Sequence, residues 1–218
     1  MMEKFRTIDG LAAPMLRDNI DTDAIIPVSH MKVLAGDFGK SLFANMRFLP
    51  EGGENPDFVL NQPQYRKAEV LVGARNFGCG SSREHAVWAL LGYGIRAVIA
   101  ESFGDIFYNN SFRQGLLPIP LPADDVAAIG RAVTEANGAR NIIVDLVAQK
   151  LTSPDGTVYD FTVEPMRRRI LLDGLDGVGV TLLRADDIAA FQARDRLARP
   201  WIYEAGPTGG TAESNHIV

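Results

Sequence analysis

An α/β fold, with a mixed sheet flanked by helices, is predicted by the alternation of short apolar runs and helical patterns between Glu69 and Pro122. Three observations carry it. Glu69 to Gly73 (EVLVG) is a buried-type strand ending in glycine. After the turn-rich NFGCGSS, the run REHAVWALLGYG repeats Ala86, Leu90 and Tyr93 at helical spacing. Ala97 to Ala100 (AVIA) then supplies a second strand of the same buried kind.

The remaining elements follow in order. Asp105 to Gln114 reads as a helix stopped by Gly115, and LLPIPLP as a third strand limited by its prolines. Asp124 to Ala136 is an amphipathic helix. NIIVDLVAQKLTS and GTVYDFTV, joined by Pro154-Asp155-Gly156, have the β-branched content and the turn of a hairpin. Helices over Pro165–Leu172 and Ala185–Leu197 complete a body expected to span 1–201, with no internal repeat. Leu49 to Gln64, rich in Pro, Gly and polar residues, is expected to be a surface excursion, and 202–218 a frayed tail.

Composition narrows the function. With 218 residues, 46% hydrophobic, the chain is long enough for one sizeable core. A net charge of −5 argues against binding nucleic acid through its phosphates, yet leaves small acidic substrates open because local fields need not follow net charge. No apolar stretch suggests a signal peptide or a membrane span, so a cytoplasmic address is expected. The single cysteine, Cys79, excludes an internal disulfide and a self-sufficient iron–sulfur or zinc–thiolate site, and His30, His85 and His216 are scattered. No metal is expected on this chain.

The segment Asn76 to Ala86, NFGCGSSREHA, holds the chemistry. Gly78 and Gly80 allow close backbone approach, and Ser81, Ser82 and Arg83 sit where a helix begins. Free amides there attract carboxylates, and an arginine adds a bidentate clamp. The competing reading is structural: Ser81 followed by Glu84 has the spacing of a capping box. The segment is neither a Walker loop, lacking its lysine, nor a dinucleotide fingerprint, lacking its third glycine. From its residues alone Asp23 in DTDAIIP reads as part of a solvated acidic loop, and Arg47 in NMRF reads equally as a surface ion-pair partner or a residue reaching a substrate.

These strings carry a family resemblance. GSSREHA preceded by NFGC resembles the serine loop of the aconitase superfamily, and DNIDTDAIIP (18–27) resembles the opening of its swivelling β/β/α domain. FGKSLFANMRF, NPDFVLNQPQY, FGDIFYNNSFRQGLLPI and GLDGVGVTL are similar to stretches of bacterial isopropylmalate isomerase small subunits, so the resemblance runs from about Phe5 to Trp201. It implies a hydro-lyase subunit of leucine synthesis, active only with a large subunit that carries a [4Fe–4S] cluster as Lewis acid, while this chain binds no cofactor. It implies Ser81 as the base, Asp23 as an active-site aspartate, and Ser82 and Arg83 as residues holding a small dicarboxylate substrate, with Arg47 a further candidate to reach that substrate from a loop. The acidic residue that single-chain aconitases carry between the loop glycines is Cys79 here, which favours the isomerase branch. A related hydratase acting on citraconate, a dimethylmalate or homoaconitate remains an alternative, as does a noncatalytic anion-binding scaffold. Discrimination among substrates is expected in 28–48, where Val33 and Leu34 are apolar candidates.

Overall fold

The structure is a computed structural model that describes residues 2–30, 38–81 and 83–203. The chain divides into two compact units, Met1–Gly177 and Val178–Val218, so a boundary falls inside the body expected to run over 1–201.

In the first unit, parallel and antiparallel pairings are segregated into two four-stranded sheets. The antiparallel sheet joins β1 (Thr7–Gly10), β6 (Ile142–Asp145), β7 (Lys150–Thr152) and β8 (Val158–Asp160) in that order. The other sheet is parallel throughout, in the order β2 (Ala12–Pro14), β3 (Val70–Val72), β4 (Ala97–Ala100) and β5 (Leu117–Pro120). Every residue of β3 and β4 is buried, as expected of central parallel strands covered on both faces.

Short α1 (Thr22–Ile25) and α2 (Ala44–Arg47) lie in the long connection between β2 and β3. Helices α3 (Glu84–Tyr93) and α4 (Asp105–Gln114) make the next two crossovers, and α5 (Ala123–Ala136) packs back on β2, β3 and β4. One continuous apolar core includes Ile25, Leu42, Phe43, Leu71, Leu90, Ile99 and Ile129, all fully buried. α6 (Pro165–Asp173) starts with proline at its first turn, after Glu164, whose carboxylate accepts the amides of Met166 and Arg167. Those bonds hold the Glu164 carboxyl below its usual range.

Several elements depart from expectation. The stretch 141–153 is two strands rather than one, because Asp145 Oδ1 accepts the Ala148 amide and turns the chain before β7. The expected hairpin is β7–β8 alone. Strands β1 and β2 add pairing that the sequence pattern did not signal. The excursion 49–64 is exposed over Glu51–Glu54 but buries Leu60 and Asn61; Asn61 Nδ2 donates to Arg47 O and Asn55 O at 2.6 and 2.8 Å.

α7 (Gly177–Leu182) begins on the last residue of the first unit, and the second unit continues with α8 (Ala185–Ala198) and a 3-10 turn over Pro200–Ile202. Asp195 accepts from Tyr203 Oη at 2.8 Å and from Arg199 Nε at 2.6 Å. Of the expected tail, 204–218 lie outside the described residues.

Candidate active site

Strands β2 and β3 are hydrogen-bonded neighbours, so the segments that leave their carboxyl ends run side by side. The first reaches α1, with Asp21 as N-cap accepting the Ala24 amide at 2.6 Å. The second is the glycine loop before α3. The pairing begins at Asp18 and Arg75, an exposed ion pair at 3.1 Å, and continues through Asn76 Nδ2 donating to Asn19 Oδ1 at 2.8 Å. Next, Gly78 N donates to Ile20 O at 2.7 Å and Thr22 N to Cys79 O at 2.9 Å. Thr22 Oγ1, on a buried residue, donates to Ser81 O at 3.1 Å. The Asp23 carboxylate and the Arg83 guanidinium close the series as an ion pair.

Two glycines make this course possible. Gly78 has φ +72, and a Cβ there would lie 2.2 Å from Cγ of Phe107. Phe77, Phe103 and Phe107 pack ring against ring beneath it, so the loop rests directly on an aromatic floor. Gly80, at φ +93, lets the chain turn beside Asp21 and Thr22.

The capping box suggested by Ser81 and Glu84 does not form. Helix α3 begins at Glu84 with Arg83 as its N-cap, an extended residue that contributes no side-chain cap, and Ser81 lies upstream and exposed. The first-turn amides therefore have no side-chain cap, and the Arg83 side chain at that end of the helix is only one-fifth exposed although its partner Asp23 is half exposed. A helix N-terminus, a largely buried guanidinium and an exposed serine hydroxyl together suit a carboxylate-bearing ligand beside a proton-accepting oxygen.

Ser82 lies outside the described residues, as do Val33 and Leu34. Arg47 is not brought to this cluster. It is buried at 8% exposure, donates to Gly39 O and Leu42 O at 3.2 Å each and to Asn61 Oδ1 at 3.4 Å, and lies over the rings of Tyr93 and Phe48. Burial pushes its pKa down, although an arginine stays charged. Its donors hold segment 38–42 against α3, where the backbones of Gly39 and Gly92 touch: a Cβ on Gly39 would lie 2.3 Å from the Gly92 carbonyl. His85 packs against Phe38 and Trp88, as a histidine used for packing does.

The Cys79 thiol is pushed up by partial burial and by the Asp21 carboxylate, which disfavours the thiolate that a metal or a nucleophilic mechanism needs. Among the described residues no group of three or more His, Cys, Asp and Glu side chains is placed to hold a metal ion. With one cysteine in the whole sequence, the residues of this chain do not fit a [4Fe–4S] cluster.

Thr22, Asn19 and Asn76 lie within the quoted motifs, but their individual contacts escaped the sequence reading. An asparagine immediately before a loop motif is a weak signal of left-handed backbone, but nothing in the string indicates which asparagine meets which.

Residues 2–124 match the family model of the aconitase C-terminal domain, 131–165 the model described as LeuD_N, and 178–205 that of the C-terminal domain of the 3-isopropylmalate dehydratase small subunit. The last match begins where the second compact unit begins. The chain is 48% identical to the 3-isopropylmalate dehydratase small subunit of Afipia carboxidovorans and 51% identical to that of Dinoroseobacter shibae, over 92% of this chain and the full length of both relatives. It also resembles the crystal structure of 3-isopropylmalate dehydratase from Methanocaldococcus jannaschii, with a TM-score of 0.61 and 28% identity over 85% of this chain and 99% of that one. The paired loops, the sheet that carries them and near-full-length identity of about half thus converge, and the chain belongs to the family of 3-isopropylmalate dehydratase small subunits.

Proposed function

We propose that this chain, joined to a large subunit, interconverts 2-isopropylmalate and 3-isopropylmalate in leucine biosynthesis. Water is removed as a hydroxyl from one carbon and a proton from its neighbour, and then returned with the positions exchanged. The observation that carries this reading is the meeting of two segments about 60 residues apart, Asp23 with Arg83 and Thr22 with Ser81. The names and the full-length coverage of the relatives support the substrate.

In this reading the Arg83 guanidinium and the amides that begin α3 hold a substrate carboxylate, and Asp23 keeps the guanidinium oriented through its ion pair. Ser81 Oγ takes the proton from the substrate carbon and gives it back on rehydration. A free alcohol is a poor base at neutral pH, so its oxyanion depends on nearby donors and the positive end of α3. Ser82 contributes a further hydroxyl to substrate. Arg47 enters through packing rather than contact. A [4Fe–4S] cluster, which would supply Lewis acidity toward the departing hydroxyl, would have to be held by the large subunit, since one cysteine on this chain cannot hold it. A cytoplasmic place for the complex is part of the same reading; no helix among the described residues is long and apolar enough to cross a membrane.

The test is Ser81→Ala in the anaerobically reconstituted complex. Turnover should fall by several orders of magnitude, with assembly and iron content unchanged. Near-normal turnover would remove Ser81 from the chemistry. A panel of 2-isopropylmalate, citraconate, dimethylmalate and homoaconitate tests the substrate: preference for any but the first would assign the chain to a related hydratase.

A further inference from the structure

We infer that Asn19 and Asn76 are positioning residues, a side-chain clasp that sets the register between the Asp23 segment and the Ser81–Arg83 segment. This rests on the site reading above. The parallel ladder of β2 and β3 holds residues 58 apart in sequence together, as in Pro14 with Val72, and its last bond runs from Met15 N to Val72 O. Beyond it the strands leave the sheet, and the pairing must be re-established before the functional residues are reached. The clasp lies at that place: Asn76 Nδ2 donates to Asn19 Oδ1, Asn19 N donates to Arg75 O at 2.9 Å, and Asn76 N donates to Ser102 Oγ at 2.9 Å.

Both residues are held in the left-handed region, Asn19 at φ +55 and Asn76 at φ +60. Of the non-glycine residues, asparagine tolerates that conformation best, and its paired occurrence near the start of each motif changes the direction of both chains together. Sequence separation across the pair is 57 at the clasp, 58 at Ile20 and Gly78, 59 at Thr22 and Ser81, and 60 at Asp23 and Arg83. The Thr22 amide bond to Cys79 O stands at 57, so the second segment advances past the first only beyond Cys79, over Ser81 and Arg83. A slip of one residue at the clasp would move Ser81 and Arg83 by a residue's length against Asp23, far more than the roughly 1 Å that can cost about 100-fold in rate. Neither asparagine is assigned to substrate; each acts through the residues downstream.

The experiment uses the reconstituted two-subunit enzyme and separates backbone conformation from the side-chain bond. Asn76→Gly keeps the left-handed backbone and loses the amide. Asn76→Asp sets an acceptor against the Asn19 oxygen, whereas Asn19→Asp retains that acceptor. The expected result is a kcat lowered about 10- to 100-fold in N76G and N76D, with KM within about threefold of wild type. Tm and assembly with the large subunit should be unchanged, and N19D should keep kcat within about threefold of wild type. The double variant N19G/N76G should be no slower than N76G, because glycine at either position keeps the left-handed backbone and both changes remove one contact. Wild-type kcat in N76G, equal damage in N19D and N76D, multiplicative losses in the double variant, or a loss that tracks assembly or Tm would each overturn the clasp. Turnover by Ser81→Ala is a separate result: it would overturn the reading of the site, whereas wild-type kcat in N76G overturns the clasp whatever Ser81 does.

Discussion

Replacing Arg47 with methionine separates a buried packing cation from a substrate ligand. The guanidinium holds Gly39 O, Leu42 O and Asn61 Oδ1, and a methionine leaves these acceptors without it, at about 1 kcal/mol each. Loss of the faces of Tyr93 and Phe48, 4.8 and 5.2 Å from the guanidinium carbon, adds about 0.5–1 kcal/mol apiece. The sum is offset in part, since burial already disfavours the charge and methionine fills much of the same volume. A net loss of about 2–4 kcal/mol is expected, read from urea unfolding of the full-length chain followed by circular dichroism. Arg47→Lys should fall between, keeping the charge without the planar fork. If R47M changed stability by less than about 0.5 kcal/mol while raising KM many-fold in the complex, Arg47 would be a substrate residue and the packing argument would fail.

Gly78→Ala should destabilise the chain by roughly 2–5 kcal/mol, about 1–2 from the left-handed backbone and about 1–3 from driving a methyl into the Phe107 ring; an unfolding midpoint equal to wild type would refute the aromatic-floor account. Arg83→Lys should lower kcat/KM by an order of magnitude or more because the fork that meets both Asp23 and a carboxylate is lost, and unchanged kinetics would assign Arg83 to packing. Glu164→Gln tests the cap of α6 by pH. The folded carboxyl titrates below its unfolded value of about 4.5, so its charge stabilises the fold above that value and the benefit disappears as pH falls through the depressed folded pKa. The stability gap between wild type and E164Q should therefore be open at neutral pH and close in acid; a gap independent of pH would mean that the charge contributes nothing.

Much of the α/β frame is legible because local signals agree with the tertiary outcome. α4 spans the expected Asp105–Gln114, bracketed by Gly104 and Gly115, and β3 and β4 are short runs buried on every residue. β2 gave no such signal: three residues ending in proline become a strand only because an edge position leaves room for a residue without an amide. The serine loop stood out by its residue types, whereas Asp23 was marked only by the resemblance that its motif carries. That the two meet depends on the parallel pairing of β2 with β3, a contact between residues 58 apart that no window on the string contains. Arg47 marks the opposite limit, since a guanidinium in a loop reads alike whether it faces water or, as here, lies between two rings.

The edge position of β2 bears on how the chain assembles and comes apart. One half of the proposed site hangs from a three-residue edge strand and the other from its fully buried neighbour β3. Closing that pairing requires gathering the whole intervening connection, so the two halves join only after a long loop has been closed, late relative to helix formation. The reverse process has a natural starting point at that edge. A sub-global opening that frees β2 while β3, β4 and β5 stay together would separate Asp23 from Arg83 with most of the core intact, and hydrogen exchange would record it as early loss of protection at Met15 against lasting protection at Gly73, whose amide is bonded to Ile99 O.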